Sequence, residues 1–296
     1  MSNITCFGEV LWDEFPEHRK IGGAPLNVGI RLKSLGNTIS MISRIGADTD
    51  GTDILDFIKK NEIKVNGIQL DDKLKTGTVK VVLNSKGSAS YDILFPRAWD
   101  NIQIETNSEE IVKSSDVFVF GSLVARNETS KETLYELLKI AKYKIFDVNL
   151  RDPYYTKGVL EYLMYQADFI KFNDDEIYEI SKMLDSKSIS LEQNIQFIAE
   201  KTNTKAICVT KGKHGAILYI DGVLYHNSGY HIDVVDTVGA GDSFLAGLIN
   251  MLLKKAPPQE AIDFACATGA LVASKAGANP IIVEKEIKKI MFSKSF

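Results

Sequence analysis

The chain has 296 residues, 45% of them hydrophobic and 25% charged, with a formal net charge of −4. That suits a large α/β domain and excludes a disordered chain. The acidic balance argues against a general nucleic-acid binder, and no apolar run is long enough to span a membrane or follows a basic leader, so a cytoplasmic protein is expected. Cys6, Cys208 and Cys266 lie far apart in apolar runs, which predicts buried thiols in a reducing compartment and no metal cluster.

In chain order, Ile4–Val10 reads as a strand, Leu26–Leu35 as a helix, Thr38–Arg44 as a strand and Asp50–Asn61 as a helix capped through Asp48. Thr76–Asn84 and Ser90–Phe95 alternate apolar and polar residues around Ser85-Lys86-Gly87-Ser88, the pattern of a hairpin with one wet face. This hairpin interrupts the α/β rhythm and is expected to project as a lid, with Trp12–Lys20 added to it. From about residue 107 strand-like and helical runs alternate. The strands are Asp116–Phe120, Lys144–Val148, Asp168–Phe172 and Ala206–Thr210. The helices are Glu128–Lys142, Gly158–Gln166, Asp174–Leu184 and Leu191–Thr202. Such alternation predicts a doubly wound, mostly parallel sheet that binds ligands at the carboxyl ends of its strands. Ala216–Ile220 and Val223–Asn227 flank Asp221-Gly222, a hairpin signal. Helices follow over Asp242–Lys254, Gln259–Lys275 and Glu284–Met291. The expected organisation is one α/β domain over 1–296, with a small β-sheet lid from about 11–21 and 74–100.

Residues 236–244 read Asp-Thr-Val-Gly-Ala-Gly-Asp-Ser-Phe and open an apolar helix. Gly239, Ala240 and Gly241 are expected to leave bare N–H donors at the positive end of a helix dipole, which is an anion site. Asp242, in the first turn, would repel a bound phosphate. A carboxylate there makes chemical sense if a hydroxyl between the two gives up its proton while attacking phosphorus. The stretch is neither a Walker A loop nor a dinucleotide fingerprint, because the required Lys and third Gly are missing.

Other motifs gain weight in this company, although each has a plainer reading. Gly22-Gly23-Ala24-Pro25-Leu26-Asn27 is either a glycine turn with an Asn cap or a grip on sugar hydroxyls. Asp13 can accept hydrogen bonds from neighbouring hydroxyls, and Trp12 offers an apolar face or simply packs. Asn173-Asp-Asp-Glu176 follows a strand and is either a capping turn or a set of oxygens that orders magnesium through water. Thr210-Lys211-Gly212-Lys213-His214-Gly215 supplies small residues for a flat nucleotide base. Arg151 suits a moving phosphoryl group, and Arg97 is placed to reach over the sugar; ordinary surface ion pairs are the plainer alternative for both.

Taken together, these motifs resemble the ribokinase-type (PfkB) carbohydrate kinases over nearly the whole chain. The resemblance rests on Gly22-Gly23 with Asn27, Gly36 and Gly46, on the complete 236–244 motif, and on Asn173-x-x-Glu176 between them. It implies a ribokinase-like fold, with Asp242 as the base and the Gly239–Gly241 amides as the anion hole. Asp13, Gly22, Gly23, Asn27 and Arg97 would hold the sugar. Asn173 and Glu176 would serve Mg2+ and the phosphates, and Thr210, Lys211, Gly212, Gly215 and Cys266 the ATP. It also implies a potassium ion near Asp236, Val238, Val272, Lys275 and Gly277, although Ile281 stands where some relatives carry Ser. Homodimers joined through the lid are common among such relatives.

Gly8-Glu-Val-Leu-Trp-Asp13 and Phe95-Pro-Arg-Ala-Trp-Asp100 look most like fructokinases. After the paired glycines, Ala24-Pro25 brings no charge to meet a second phosphate, so a neutral ketohexose fits better than a sugar phosphate. Kinases for ribose, a ketoacid sugar or a nucleoside are the nearest alternatives, and a turnover-free sensor or a dinucleotide oxidoreductase the more remote ones. One tension remains within this reading. An ordinary Asp has a pKa of about 3.9, and a helix N-terminus is expected to lower that of Asp242 further, leaving a weak base.

Overall fold

The computed structural model describes residues 1–83 and 89–292. Its first third runs β1 (Asn3–Phe7), β2 (Leu11–Glu14), β3 (Arg19–Gly22), α1 (Ala24–Ser34), β4 (Thr38–Gly46), α2 (Thr49–Lys60), β5 (Lys64–Asp71), β6 (Gly77–Leu83) and β7 (Ala89–Ile93). Then follow α3 (Thr106–Ser114), β8 (Val117–Gly121), α4 (Glu128–Ile140), β9 (Lys144–Asp147), α5 (Lys157–Gln166), β10 (Phe169–Asn173), α6 (Asp174–Met183), α7 (Leu191–Thr202) and β11 (Ala206–Thr210). The hairpin β12 (Ala216–Ile220) and β13 (Val223–Asn227) precedes α8 (Ala240–Leu253), α9 (Pro258–Ala273) and α10 (Glu284–Phe292).

Among the described residues a nine-stranded sheet has the order β13-β12-β11-β10-β9-β8-β1-β4-β5. Its pairs are parallel except around β12, which runs antiparallel to both neighbours. Both faces are covered, and side-chain alternation shows it directly. Val117 and Val119 of β8 join the core under α1, α8 and α9, while Phe118 and Phe120 join the core under α4 to α7. A strand buried on both faces reads as a continuous apolar run, as β8 does. No helix among the described residues is long and apolar enough to cross a membrane.

A separate four-stranded sheet has the order β3-β2-β6-β7. Its core is Leu11, Val79, Ile93, Trp99 and Leu123. The strand expected over Ile4–Val10 is shorter than read, because Gly8 adopts φ 145° and the chain leaves the large sheet there. Three residues on, Leu11 enters the small one. The hairpin turn expected at Ser85–Ser88 lies outside the described residues. β5 and α3 were not foreseen: Lys64–Asp71 is an edge strand with weak alternation, and Thr106–Ser114 is short and polar.

Candidate active site

The anion-hole turn is shaped by sterics. Gly239 is the N-cap of α8 at φ 73°, and a Cβ there would sit 2.6 Å from Ala278. Only glycine satisfies both constraints. The N–H groups of Gly239 and Gly241 meet no acceptor among the described residues. The Ala240 N–H, expected to be equally bare, instead donates to the Thr237 carbonyl at 3.2 Å. The donors left open at this helix start are therefore the amides on either side of Ala240.

Two buried polar links fix α8 against α1 and the turn that follows α1. Arg31 Nε donates to Ser243 Oγ at 3.2 Å, and Asn37 Nδ2 donates to Asn250 Oδ1 at 3.1 Å. This brings Asn27 of α1 to Asp242 of α8, across 215 positions of sequence: Asn27 Nδ2 donates to Asp242 Oδ2 at 2.8 Å. Asn279 Nδ2 donates to Asn27 Oδ1 at 2.7 Å and sets the amide's orientation. Asn27 is thus not a cap; Gly23 caps α1 without a side-chain bond.

Asp242 does not behave as the helix dipole alone predicts. Its pKa is pushed up to about 6, first by desolvation and then by the Asp147 carboxylate, against the Asn27 hydrogen bond and the charges of Lys171 and Arg151. Burial outweighs the dipole, and the result is a stronger base that is still ionised at neutral pH.

Two cavities meet at this turn. The first, about 520 Å³, is lined by Glu9, Asp13, Gly23, Asn27, Arg151, Lys171, Gly239 and Asp242 among others. The second, about 760 Å³, takes Thr210, Gly212, Gly215, Tyr230, Phe244, Cys266 and Ala240. Thr237 and Gly241 line both. Gly22 lines neither, but a Cβ at Gly22 would collide with the Asp13 carboxylate, so its hydrogen makes room for that group. Burial lifts Asp13 to about 6 against the charges of Arg151 and Lys20. Lys211 lies beside the second cavity, and its N–H donates to the Gly215 carbonyl at 2.8 Å.

Two residues of the first cavity were not singled out from the sequence. Lys171 is buried, and its Nζ donates to Asp147 Oδ1 at 2.9 Å. The ammonium also lies 3.8 Å from where a Cβ on Gly241 would stand, so the cation sits beside the anion-hole amides. A Lys within the apolar run Phe169-Ile-Lys-Phe was the available signal, since unpaired lysines are almost never buried. Glu9 is 4% exposed with Oε2 unpartnered. Burial and the charge of Asp242 push it up to about 7, although its own N–H and that of Ala24 hold the carboxylate.

Other expectations meet a different geometry. Arg97 lies outside both cavities and starts a short helical turn, its N–H donating to Asp100 Oδ2 at 2.7 Å. Trp12 packs: its ring lies 4.0 Å under the Arg19 guanidinium, and its Nε1 donates to the Asp50 carbonyl. Asn173 and Glu176 form a reciprocal capping box at the start of α6, and Glu176 Oε1 accepts a further N–H from Leu150. Both Glu176 oxygens are therefore held by backbone. Among the described residues no three acidic, Cys or His side chains group to hold a metal, so magnesium would come in on the nucleotide phosphates and keep its waters.

The loop expected to hold potassium is differently furnished. Asp236 accepts N–H bonds from Val238 and Gly277, each at 3.0 Å. Lys20 Nζ stands 3.8 Å from Asp236 Oδ2, and Lys275 Nζ donates to the Ile281 carbonyl at 3.1 Å. The Ile281 side chain supplies no oxygen and is 91% exposed. At Asp236 itself the nearby cation is the Lys20 ammonium, whereas Lys275 is engaged with Glu286 and the Ile281 carbonyl.

An anion-binding helix start with a carboxylate in its first turn, placed between two cavities at the carboxyl edge of a parallel sheet, is the arrangement of a phosphotransferase acting on an alcohol. The pfkB family carbohydrate kinase pattern matches residues 4–285, and the chain belongs to that family. It is a carbohydrate kinase, a phosphotransferase with an alcohol as acceptor, with the ribokinase-like fold, and it is similar to fructokinases. A probable chloroplastic fructokinase-6 of Arabidopsis thaliana is 28% identical over 96% of this chain and 80% of its own length. A Xylella fastidiosa fructokinase with bound ATP superposes with a TM-score of 0.86 at 21% identity, covering 98% of both chains. A Vibrio cholerae fructokinase double mutant with fructose, ADP and potassium ion bound gives 0.81 at 22% identity, covering 94% of both.

Proposed function

We propose that the protein transfers the γ-phosphoryl group of ATP to a primary hydroxyl of fructose, giving fructose 6-phosphate. The observation that carries this is the shared wall of the two cavities: the polar one ends on Asp242, the other opens toward small and apolar residues, and Gly241 belongs to both. The sugar sits on Asp13, Gly23 and Asn27. Its hydroxyl oxygen attacks phosphorus, its proton passes to the Asp242 carboxylate, and the bond from phosphorus to the bridging oxygen breaks with its electron pair leaving on ADP. The transition state is loose, so a base near neutrality that orients the nucleophile suffices. The Gly239 and Gly241 amides, Lys171 and the exposed Arg151 meet the charge on the moving group. Magnesium carried in on the nucleotide would neutralise phosphate charge; Asn173 and Glu176, engaged in their capping box at the start of α6, would reach it only through its waters.

The small sheet acts as a lid that excludes water over the sugar. Three buried cysteines without disulfides fit a reducing cytoplasm. Fructose is favoured over phosphorylated and acidic sugars because carboxylates line the acceptor end of the polar cavity at Glu9 and Asp13, where a second anion would be repelled. A panel of monosaccharides and nucleosides with ATP tests the reading. Fructose should give the highest kcat/KM; ribose, a ketoacid sugar or a nucleoside ahead of it would replace fructose as acceptor, and no turnover on any would end the kinase account.

A further inference from the structure

We infer that Lys20, carried on β3 of the lid, supplies the positive charge beside the anion-hole loop in place of a dissolved monovalent cation. The inference rests on reading the Gly239 and Gly241 amides as the phosphoryl cradle. Asp236 is the brace of that loop: Oδ1 takes the Val238 N–H and Oδ2 the Gly277 N–H, so one carboxylate ties the segment before α8 to the segment after α9. A bare carboxylate at this point would oppose an incoming phosphate. Lys20 Nζ stands 3.8 Å from Asp236 Oδ2 and 3.9 Å from where a Cβ on Gly277 would lie, over both segments at once. A cation entering from solution onto Asp236 would face this ammonium directly. On the other side of the 277–281 loop, Lys275 Nζ already holds the Ile281 carbonyl and pairs with Glu286 at 2.9 Å.

The position of Lys20 in the lid gives the charge a second consequence. In the β2–β3 pair, Lys20 stands directly opposite Asp13, the carboxylate of the acceptor cavity. One side chain therefore links the strand that receives the sugar to the loop that receives the phosphate. A sugar that settles the lid also settles the cation over Asp236, so the two substrates are coupled through the protein's own charge. A dissolved ion would leave the coupling to the salt composition of the medium.

The test is ADP titration by calorimetry on the full chain, with and without fructose, in potassium chloride and in choline chloride at matched ionic strength, which cancels general screening. Wild type should bind ADP equally in the two salts, within about twofold. Lys20→Met should lose about fivefold in choline, the upper range for an exposed pair, and regain it in potassium; Lys20→Arg should match wild type. A potassium-specific tightening of wild type beyond about fivefold, a Lys20→Met affinity equal to wild type in choline, or a loss that potassium does not restore would each overturn the inference. Turnover measured in the same solutions separates the two readings. ADP binding as expected without phosphorylation of any sugar would sink the fructose assignment and leave the role of Lys20 standing.

Discussion

The two cavities that share Gly241 are built from different materials. The acceptor side gathers the charged groups Glu9, Asp13, Arg151, Lys171 and Asp242 from the ends of strands and the start of α8. The other cavity, proposed for the nucleotide, is lined by Thr210, glycines, Phe244, Cys266 and alanines of α9, with Lys213, His214 and His231 among them. Charged side chains crowd the first cavity, whereas in the second these last three stand among glycines, alanines and aromatic rings. The consequence is an asymmetry in tolerance: single atoms should matter on the first side and little on the second.

The largest expected effect is at the seam. Asp242→Asn should lower kcat by about three orders of magnitude while ADP affinity stays within about twofold. A variant that kept a tenth of its kcat would end the base assignment. Lys171→Met comes next, with kcat down by about two orders and the acid limb of the pH profile moved upward, because the Lys171 charge favours the Asp242 carboxylate. Removing one partner of a buried pair costs about 3–5 kcal/mol, so thermal melts and Lys171→Arg, which keeps the charge, accompany it. Unchanged kcat in folded Lys171→Met would restrict Lys171 to a structural role. Asp13→Ala should raise the fructose KM at least about tenfold and leave the ATP KM alone; equal rises in both would erase the division between the sides. The smallest effect belongs to the second cavity. Cys266→Ala should change the ATP KM by less than about twofold, and a tenfold change would show that this side too depends on particular atoms.

The sequence made some of this legible for physical reasons. Gly239-Ala-Gly-Asp242 is a local motif whose sterics act within one turn, so its residue types alone announced the glycine-capped start of α8 and the carboxylate in its first turn. Asp48 capping α2 is of the same kind, its side chain accepting the Gly51 N–H at 2.8 Å. Asn27 was placed at the sugar, but its bond to Asp242 spans two helices brought together by Arg31 and Asn37, which no local pattern carries. Lys171 and Glu9 escaped for a similar reason: each takes its meaning from a partner, or from the lack of one, in the folded chain. Arg97 went astray because proximity to the lid in sequence does not fix which way a side chain points. The upward shift at Asp242 was missed because the dipole can be read from the sequence, whereas desolvation and the approach of Asp147 cannot.

The central claim is that a desolvated carboxylate on α8 accepts the sugar's proton, and the pH dependence of kcat/KM for fructose at saturating ATP tests it most directly. Asp242 and Asp13 both stand at about 6. Both must be ionised, so kcat/KM should be level above that value and fall as pH drops through it, with a slope approaching two that becomes one in Asp13→Asn. A profile that stays level down to about pH 5 and falls only near the ordinary carboxylate value of about 3.9 would contradict the account.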